Sequence, residues 1–413
     1  MRIRGSDNRA HVMGNKFELL LSYPARSRKD FLESKRSFQH SMENQVTPHS
    51  SWRRAIKIVS AFVLFSPAVL NAQQYQQTDL LSNTLMEGTN PPDVNLKNPW
   101  GIARGTGAPW WVSDNAAGVS TLYNGAGTKQ SLTVTIPHTA NTTIGSPTGI
   151  VFNASSDFDV ATGMPADFIF ASLDGTISAW NPGVNLNNAI QKVAGSAKSV
   201  LTGATIAQIG SKRFLYVADL EKGEITVYDT DFAVVSVDQG AFKDNHVPSG
   251  FVPFNVQNIG NNLYVSYGKR DKARTFVEFG SGLGYVDVFS PDGHFLMQLE
   301  HGDWFNAPWG LTLAPSDFGT FSHKVIVGQF GSGQILAFDA VTGKFDGTLN
   351  DQNDKVITIS GLWGLAFGDG EVNSDPANQP DNALFFTAGP GGQNGLFGTL
   401  TPIAADLTQG SDQ

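Results

Sequence analysis

The sequence predicts an all-β protein, namely a six-bladed β-propeller with four-stranded blades. Two observations support this fold class. A phrase that contains Trp, Gly and an aliphatic residue recurs along the chain, and each copy is followed by apolar runs that alternate with polar residues around a glycine turn. Alternation with period two around such a turn indicates β-hairpins, and a repeated hairpin unit indicates a radial or stacked repeat protein.

The repeated phrase is clearest as NPWGI at 98–102, NAPWGL at 306–311 and GLWGL at 361–365, and three of the chain's 8 Trp residues lie in it. Weaker copies fill the gap between the first two. The closing aliphatic residues mark six units at Ile102, Ile150, Ile206, Val256, Leu311 and Leu365. Spacings of 48 to 56 residues give each unit room for four short strands. Seven blades is the nearest alternative.

The inner strand of each unit carries the repeated phrase, and runs such as FLYVADLEKGEITVYD at 214–229 supply the second and third strands. The fourth strand has a weaker signal, for example SVDQGAF at 236–242. The last unit has little chain after LFGTLTP, whereas residues 75–85 precede the first inner strand without a blade of their own. We therefore expect this N-terminal segment to form the outer strand of the last blade and to close the ring.

Crowding near the propeller axis explains the glycine in the phrase, because a side chain does not fit where another backbone approaches closely. This applies to Gly101, Gly149, Gly310 and Gly364. Large aromatic side chains dominate core packing. We expect the tryptophans of the phrase to wedge between blades: Trp100, Trp309 and Trp363.

The first 72 residues are expected to lie outside the propeller domain, which spans 73–404. Residues 52–72 place three basic residues before an apolar stretch and end in Asn71-Ala72, the order typical of a signal peptide cleaved after Ala72. Residues 1–51 are expected to be an over-called start or a disordered segment, with Met42 as an alternative start. Residues 405–413 are expected to be a disordered tail. These features predict a periplasmic or extracellular protein without a membrane span in the mature chain.

Composition narrows the classes of partner. The chain has no Cys, so neither a disulfide framework nor a Cys metal site is expected. Residues 1–72 hold 12 of the 28 basic and 5 of the 37 acidic residues, which leaves 16 basic and 32 acidic residues and a net charge of −16. Because so acidic a surface repels phosphate backbones, nucleic acid is not expected as a partner.

The stretch NAPWGLTLAPSDFGTFSHKVIVGQFGSGQILAFDAVTG, followed by GLWGLAFGDG, ALFFTAGP and GLFGTL, resembles a bacterial family of conserved hypothetical secreted β-propeller proteins. That family is associated with genomes that encode PEP-CTERM sorting and is distantly similar to NHL repeats. The resemblance covers about residues 79 to 403 and implies a propeller and export, with no assigned activity. Gln329 and Ser332 stand where the family pattern has Asn and Asp, and the C-terminal LTQGSDQ is not a PEP-type anchor.

Catalytic motifs of the common classes are absent from the sequence, which has no G-x-S-x-G, H-E-x-x-H or P-loop. We therefore expect a non-catalytic binding module without a cofactor, whose ligand is a small molecule, a glycan or a protein. The alternative is a calcium-dependent lactonase-like or other hydrolase with an axial metal. Its ligands would follow the second strands, where the sequence offers a poor donor set: Asp114, Leu173, Asp219, Tyr267, Gln329 and Ala388.

Two segments hold candidate site residues. The segment 368–381 is rich in oxygen ligands and is a weak candidate for calcium, through Asp369, Glu371, Asn373 and Asp375, although it lacks the EF-hand order. The links between blades and the long basic loop 268–282 should emerge together on one face of the ring. Loops of this length are usually either functional or disordered, so the basic loop is either a binding surface or a solvated segment without a ligand. The candidate ligand-binding residues are His138, Asp244, His246, Lys269, Arg270, Lys272, Arg274, His301 and Asp303.

The proposed signal peptide gives the first prediction. N-terminal sequencing of exported protein is expected to begin at Gln73, because the apolar stretch is shorter than the roughly 20 residues of a membrane span and is followed by small residues. A mature N-terminus at or before residue 60 would contradict the prediction.

Overall fold

The structure is a computed structural model that describes residues 74–368 and 380–403 of the 413-residue chain. Within these ranges the regular structure is β-strand, apart from two short 3-10 turns at Gly319–Phe321 and Pro390–Gly392. Six antiparallel sheets, each built on four strands, form the blades of a six-bladed propeller. The predicted fold class and blade number are confirmed.

The first strand, β1 (Tyr75–Ser82), lies outside blade 1. From the inner strand outwards, blade 1 comprises β2 Pro99–Ala103, β3 Trp110–Asp114, β4 Val119–Tyr123 and β5 Lys129–Thr135. Blade 2 comprises β6 Pro147–Phe152, β9 Phe168–Ser172, β10 Ile177–Trp180 and β11 Ile190–Val193, with a small hairpin of β7 Asp159–Ala161 and β8 Met164–Pro165 after its inner strand. Blade 3 comprises β12 Leu201–Ile209, β13 Lys212–Asp219, β14 Glu224–Tyr228 and β15 Val234–Val235.

The remaining blades follow the same order. Blade 4 comprises β16 Phe251–Ile259, β17 Asn262–Arg270, β19 Gly284–Phe289 and β20 Phe295–Gln298, and a short β18, Val277–Glu278, also pairs with β17. Blade 5 comprises β21 Pro308–Leu313, β22 Lys324–Gln329, β23 Ile335–Asp339 and β24 Phe345–Thr348. Blade 6 comprises β25 Leu362–Phe367, β26 Leu384–Ala388, β27 Leu396–Pro402 and, as its outer strand, β1.

The ring closes through the first strand, as the sequence predicts. Strand β1 pairs antiparallel with β27, from Tyr75 opposite Pro402 to Ser82 opposite Leu396. The inner strands also contact one another in order around the ring, including the contact between β25 and β2. The first and last blades are therefore joined both at the axis and at the outer edge.

The outer strand of blade 3 differs from the sequence prediction. It lies at Val234–Val235, and the predicted segment 236–242 instead belongs to the link between blades 3 and 4. The apolar residue that suggested a strand, Phe242, is buried between these blades, with its ring against Tyr216 and Phe289. Its burial comes from tertiary packing and not from strand pairing.

Each inner strand shifts register against the second strand near its upper end. The shifts fall between Pro99 and Ile102, Pro147 and Ile150, Leu201 and Gly203, Pro253 and Asn255, Pro308 and Leu311, and Leu362 and Leu365. A β-bulge bends its strand and redirects the side chain at that point. The repeated phrase is therefore the sequence of a bulge that occurs once in every blade.

Glycines in the bulge let each inner strand approach the backbone of the next blade. A Cβ built on Gly101 would lie 2.5 Å from the Thr148 carbonyl oxygen, and one on Gly364 would lie 2.7 Å from that of Trp100. Blade 4 has Asn255 at the corresponding place, and its side-chain amide donates to the Trp309 carbonyl oxygen at 2.7 Å. Close backbone approach, as expected from the sequence, therefore links neighbouring inner strands around the axis.

Replacing Gly364 with Ala should destabilise the protein, because the added methyl group meets the Trp100 carbonyl in a packed ring. We expect the free energy of unfolding to fall by about 1–3 kcal/mol. The matched control is Gly240→Ala, where no heavy atom lies within 4 Å of the new Cβ, and its effect should stay within about 0.5 kcal/mol. Urea denaturation measures both, and equal stabilities of the two variants would show that the contact is unimportant.

Candidate functional site

The upper face of the ring is the side on which the links between blades and the turns between second and third strands emerge. At its centre, the redirected side chains of the bulges meet in an aromatic cluster. Trp100 stacks on Trp363 with ring centroids 3.6 Å apart, and Trp309 lies edge-on to both, at 5.9 and 5.5 Å. Phe254 adds a fourth ring, 6.5 Å from Trp100. The tryptophans thus fill the axis, and the expectation that they wedge between blades is wrong because the bulge turns them inwards.

The long loop of blade 4 covers this cluster. Phe276 of the loop lies 6.1 Å from Trp100 and 6.2 Å from Trp363. Phe330, from the corresponding turn of blade 5, stacks on Trp363 at 3.7 Å, and Phe279 packs on Phe330 at 5.3 Å. Phe279 is 43% exposed. The centre of the upper face is therefore an aromatic surface held by buried rings beneath it.

The axis does not fit a calcium ion at this end. Calcium requires several converging oxygen ligands, whereas the side chains that meet here are indole and phenyl rings. Three of the polar residues that follow the second strands already have hydrogen-bond partners in their own blade or in the link before it. The Asp114 carboxyl group bonds to the Thr121 hydroxyl group, Asp219 accepts from the Val200 amide and Gln329 accepts from the Asn306 amide.

The residues described contain no group of three or more His, Asp or Glu side chains that could hold a metal ion. The weak calcium candidates Asp369, Glu371, Asn373 and Asp375 lie outside the described residues.

Below the aromatic cluster, a cavity of about 30 Å³ remains on the axis, between the inner strands. Its walls are mostly bulge glycines and aliphatic side chains, with Asn255 and Gln257 as its polar lining. A cavity of this size holds roughly one or two water molecules. It is too small for an organic ligand.

Two cations of the basic loop are engaged with blade 3. Arg270 donates from Nη1 to the carbonyl oxygens of Leu220 and Glu221, at 3.0 and 2.8 Å. Arg274 donates from Nη2 to the same Glu221 carbonyl at 2.8 Å, and its Nε lies 3.3 Å from the Glu221 carboxylate. These arginines clamp the loop onto the turn of blade 3. Lys272, in contrast, is exposed to solvent.

Lys269 and His301 meet through two aromatic rings at the upper end of blade 4. The Lys269 ammonium lies 5.0 Å from the centroid of the Phe251 ring, which packs edge-on to Tyr285 at 4.9 Å. His301 stacks on Tyr285 at 4.1 Å, and its Nδ1 lies 3.1 Å from the Gly284 carbonyl oxygen. Because a carbonyl oxygen only accepts hydrogen bonds, the His301 Nδ1 carries the hydrogen in this contact.

Asp244 and His246 also lie together, in the link between blades 3 and 4. The His246 Nδ1 is 2.7 Å from the Asp244 carboxylate, whose other oxygen accepts from Gln298 at 3.1 Å. The same Gln298 amide donates to Asp287 at 2.9 Å. Burial and, to a smaller extent, the nearby Asp244 carboxylate raise the pKa of Asp287 to about 7, although the Gln298 hydrogen bond acts to lower it. Of these side chains, only His246 is largely exposed. Because Gln298 and Asp287 belong to blade 4, the hydrogen bonds fasten the link between blades 3 and 4 to blade 4.

The other candidate residues lie apart. His138 is on the link between blades 1 and 2, where its Nδ1 is 2.8 Å from the Thr139 carbonyl oxygen. Asp303 follows His301 in the link between blades 4 and 5, and its carbonyl accepts from Ser281 at 2.9 Å. Most of the predicted residues thus lie in small groups around blade 4, His138 lies apart from them, and together they do not form one continuous site.

Sequence reasoning missed the aromatic centre of the upper face. Phe276 and Phe279 lie in the basic loop, as RTFVEFG, and two aromatic residues in a loop of charged and small residues were an available signal. Phe330 was not predictable, since its position depends on how the turn of blade 5 reaches the axis.

Known proteins resemble this chain to different degrees. No family model matches the chain. A structural genomics protein of unknown function from Bacteroides thetaiotaomicron has a TM-score of 0.50 and 13% identity, over 79% of this chain and 76% of that one. Virginiamycin B lyase from Staphylococcus aureus has a TM-score of 0.46 and 12% identity, over 80% and 99%. At such identities a likeness concerns the fold alone.

Three sequence relatives come from Acanthamoeba polyphaga mimivirus. Uncharacterized protein L690 is 32% identical over 287 residues, which are 66% of this chain and 74% of that protein. Uncharacterized protein R648 is 29% identical over 326 residues, 75% of each chain. Uncharacterized protein R640 is 36% identical over 201 residues, but the match spans only 37% of that protein, well under two thirds of its length.

Six four-stranded blades, a ring closed by the first strand and an axis filled with aromatic rings define the class: a closed β-propeller. Within this class, the chain belongs to the family that includes the mimivirus protein L690. In the ranges that the structure describes, no helix is long and apolar enough to cross a bilayer.

Measurements of unfolding stability can distinguish the structural role of Arg270 from the exposed position of Lys272. Arg270→Ser should lower the free energy of unfolding by about 1–2 kcal/mol, because it removes hydrogen bonds from a charged donor to two carbonyls. Lys272→Ser, the matched control in the same loop, should change stability by less than about 0.5 kcal/mol. Thermal melts of both variants provide the measurement. A Lys272 variant as unstable as the Arg270 variant would refute the assignment.

Proposed function

We propose that the protein is an exported, non-catalytic binding module whose ligand lies on the upper face, over the aromatic centre. The observation that supports this most directly is the filled axis. The place where a propeller could form a deep axial site is occupied by packed rings, and Phe279 stands exposed above them. A rigid, partly exposed aromatic ring is a favourable contact surface because little side-chain entropy is lost on binding.

Charge near this surface suggests what the ligand carries. Lys272 is exposed in the loop that also holds Phe279, and Lys269 and His301 lie at the upper end of the same blade. Lys269 and Lys272 thus add positive charge to this face of an otherwise acidic protein. We propose a small molecule or glycan with a carboxylate group and a flat apolar or sugar face.

Export is part of the proposal. It is supported by the basic, apolar and small-residue order at 52–72 and by the resemblance to secreted propellers of bacteria with PEP-CTERM sorting.

A thermal-shift screen tests the binding proposal. The probes are uronic acids, their short oligomers and matched neutral sugars, and a stabilising ligand raises the melting temperature. Phe279→Ser and Lys272→Ser should each abolish the shift without unfolding the protein. The control is Leu313→Ser, an exposed apolar residue (42%) at the opposite end of an inner strand, and it should bind as the unchanged protein does.

The competing function is a calcium-dependent hydrolase. Metal analysis of the purified protein, with melts in calcium and in chelator, separates the two. One tightly bound calcium per chain together with turnover of a lactone would overturn the proposal. A shift caused by acidic sugars that survives in chelator and disappears in the Phe279 variant would support it.

A further inference from the structure

A buried chain of hydrogen-bonding groups crosses blade 1. The Asp114 side chain at the end of β3 is fully buried, and its Oδ2 lies 2.6 Å from the Thr121 hydroxyl. That hydroxyl lies 2.7 Å from the Tyr123 hydroxyl, which in turn lies 2.8 Å from the Asp93 carboxylate. All four side chains are buried. The chain thus connects two carboxyl groups through two hydroxyl groups.

Only one end of this chain reaches solvent. The second carboxylate oxygen of Asp93 accepts from the Lys129 ammonium at 2.8 Å and from the Asn95 amide at 3.0 Å. The Lys129 side chain is 36% exposed. At the other end, Asp114 Oδ1 has no hydrogen-bond partner among the described residues. Asp93 is therefore compensated as an anion, whereas Asp114 has no cation in contact with it.

Counting hydrogens assigns the charge of Asp114. Three short oxygen–oxygen contacts, between Asp114 and Thr121, Thr121 and Tyr123, and Tyr123 and Asp93, need three hydrogens. The two hydroxyl groups supply one each. If Asp114 is a neutral carboxylic acid, it donates to Thr121, Thr121 donates to Tyr123 and Tyr123 donates to Asp93. If Asp114 is ionised, one of the three contacts has no hydrogen.

The surroundings favour the neutral form. Burial raises the pKa of Asp114 well above its usual value, and the nearby Asp93 carboxylate also raises it. The hydroxyl and amide groups of Thr121, which can donate to an ionised carboxylate, and the more distant Lys129 act in the opposite direction. The strands of blade 6 that face this side, 384–388 and 396–402, contain no titratable side chain. Asp93, Lys129 and Tyr123 are thus the titratable groups around Asp114.

The chain lies at the seam where the ring closes. Its side of blade 1 packs against blade 6, and Tyr123 stacks on Phe397 of β27 with centroids 5.5 Å apart. Strand β27 is also the partner of β1. The hydroxyl chain and the closing strands therefore share one packed interface.

We infer that Asp114 carries a proton in the folded protein and that the protonated carboxyl group stabilises the interface between blades 6 and 1. Loss of this proton at alkaline pH therefore destabilises the closure of the ring. The sign follows from linkage. A carboxyl that stays protonated in the folded state, but ionises once unfolded, stabilises the fold fully at acid pH. That contribution is lost as the pH rises from the usual carboxyl range through the raised pKa.

The test uses Asp114→Asn in the full chain, because the amide donates to Thr121 where the neutral acid does. The infrared spectrum of the unchanged protein at neutral pH should contain the carbonyl band of a protonated carboxylic acid that is missing from this variant. The decline in melting temperature from about pH 5 to about pH 9 should also be smaller in the variant. Asp219→Asn is the control, since Asp219 accepts two backbone amides and pairs with Lys222. It should lose stability at every pH and keep the band.

Two results would show that Asp114 is not protonated. The inference fails, and Asp114 is ionised, if Asp114→Asn loses no acid carbonyl band. It also fails if the melting temperature of this variant falls with pH as steeply as that of the unchanged protein. Should that variant not fold, the infrared titration of Tyr123→Phe decides the question, because this change removes one hydroxyl of the chain. The acid band should then shift in frequency, and an unchanged band would overturn the inference.

Discussion

The close approach of six inner strands at the axis is the constraint on which the rest of the structure depends. Where one strand meets the next, the backbone carbonyl occupies the space of a Cβ, as between Gly364 and Trp100. Glycine at the bulge permits this approach, and the bulge turns the preceding Trp towards the axis. The same short phrase therefore specifies two things at once: the contact between blades and the filling of the centre.

The sequence predicts the blades well because each copy of the repeat contains the residues that form one inner strand and its contact with the next blade. Spacing of the Trp-Gly phrase gives six units, and the unmatched segment 75–85 gives the closing strand, which the structure shows as β1 paired with β27. The direction of Trp363 was not predictable, since it depends on a register shift between two strands that neither strand shows by itself. The prediction of an outer strand at 236–242 was wrong because it was based on the apolar Phe242. An apolar residue in a link between blades can be buried by the neighbouring blades without belonging to a strand.

The candidate site was less predictable than the fold, for a related reason. A cationic side chain in a loop can bind either a ligand or a backbone carbonyl group of the next blade. Which of the two it binds depends on how the blades pack, and the sequence does not show this. Arg270 and Arg274 are engaged by the turn that holds Glu221, whereas Lys272 is exposed. Exposed aromatic residues gave no sequence signal strong enough to compete with the basic ones, although Phe279 marks the centre of the face.

Closure by the first strand has a consequence for the order of synthesis. Strand β1 leaves the ribosome long before β27, its partner at 396–402, has been made. Until then, one edge of the chain lacks a partner, and the contact with the longest sequence separation is also among the last that can form. The ring of this protein therefore stays open through nearly the whole of translation, and its closure depends on the last strand of the last blade.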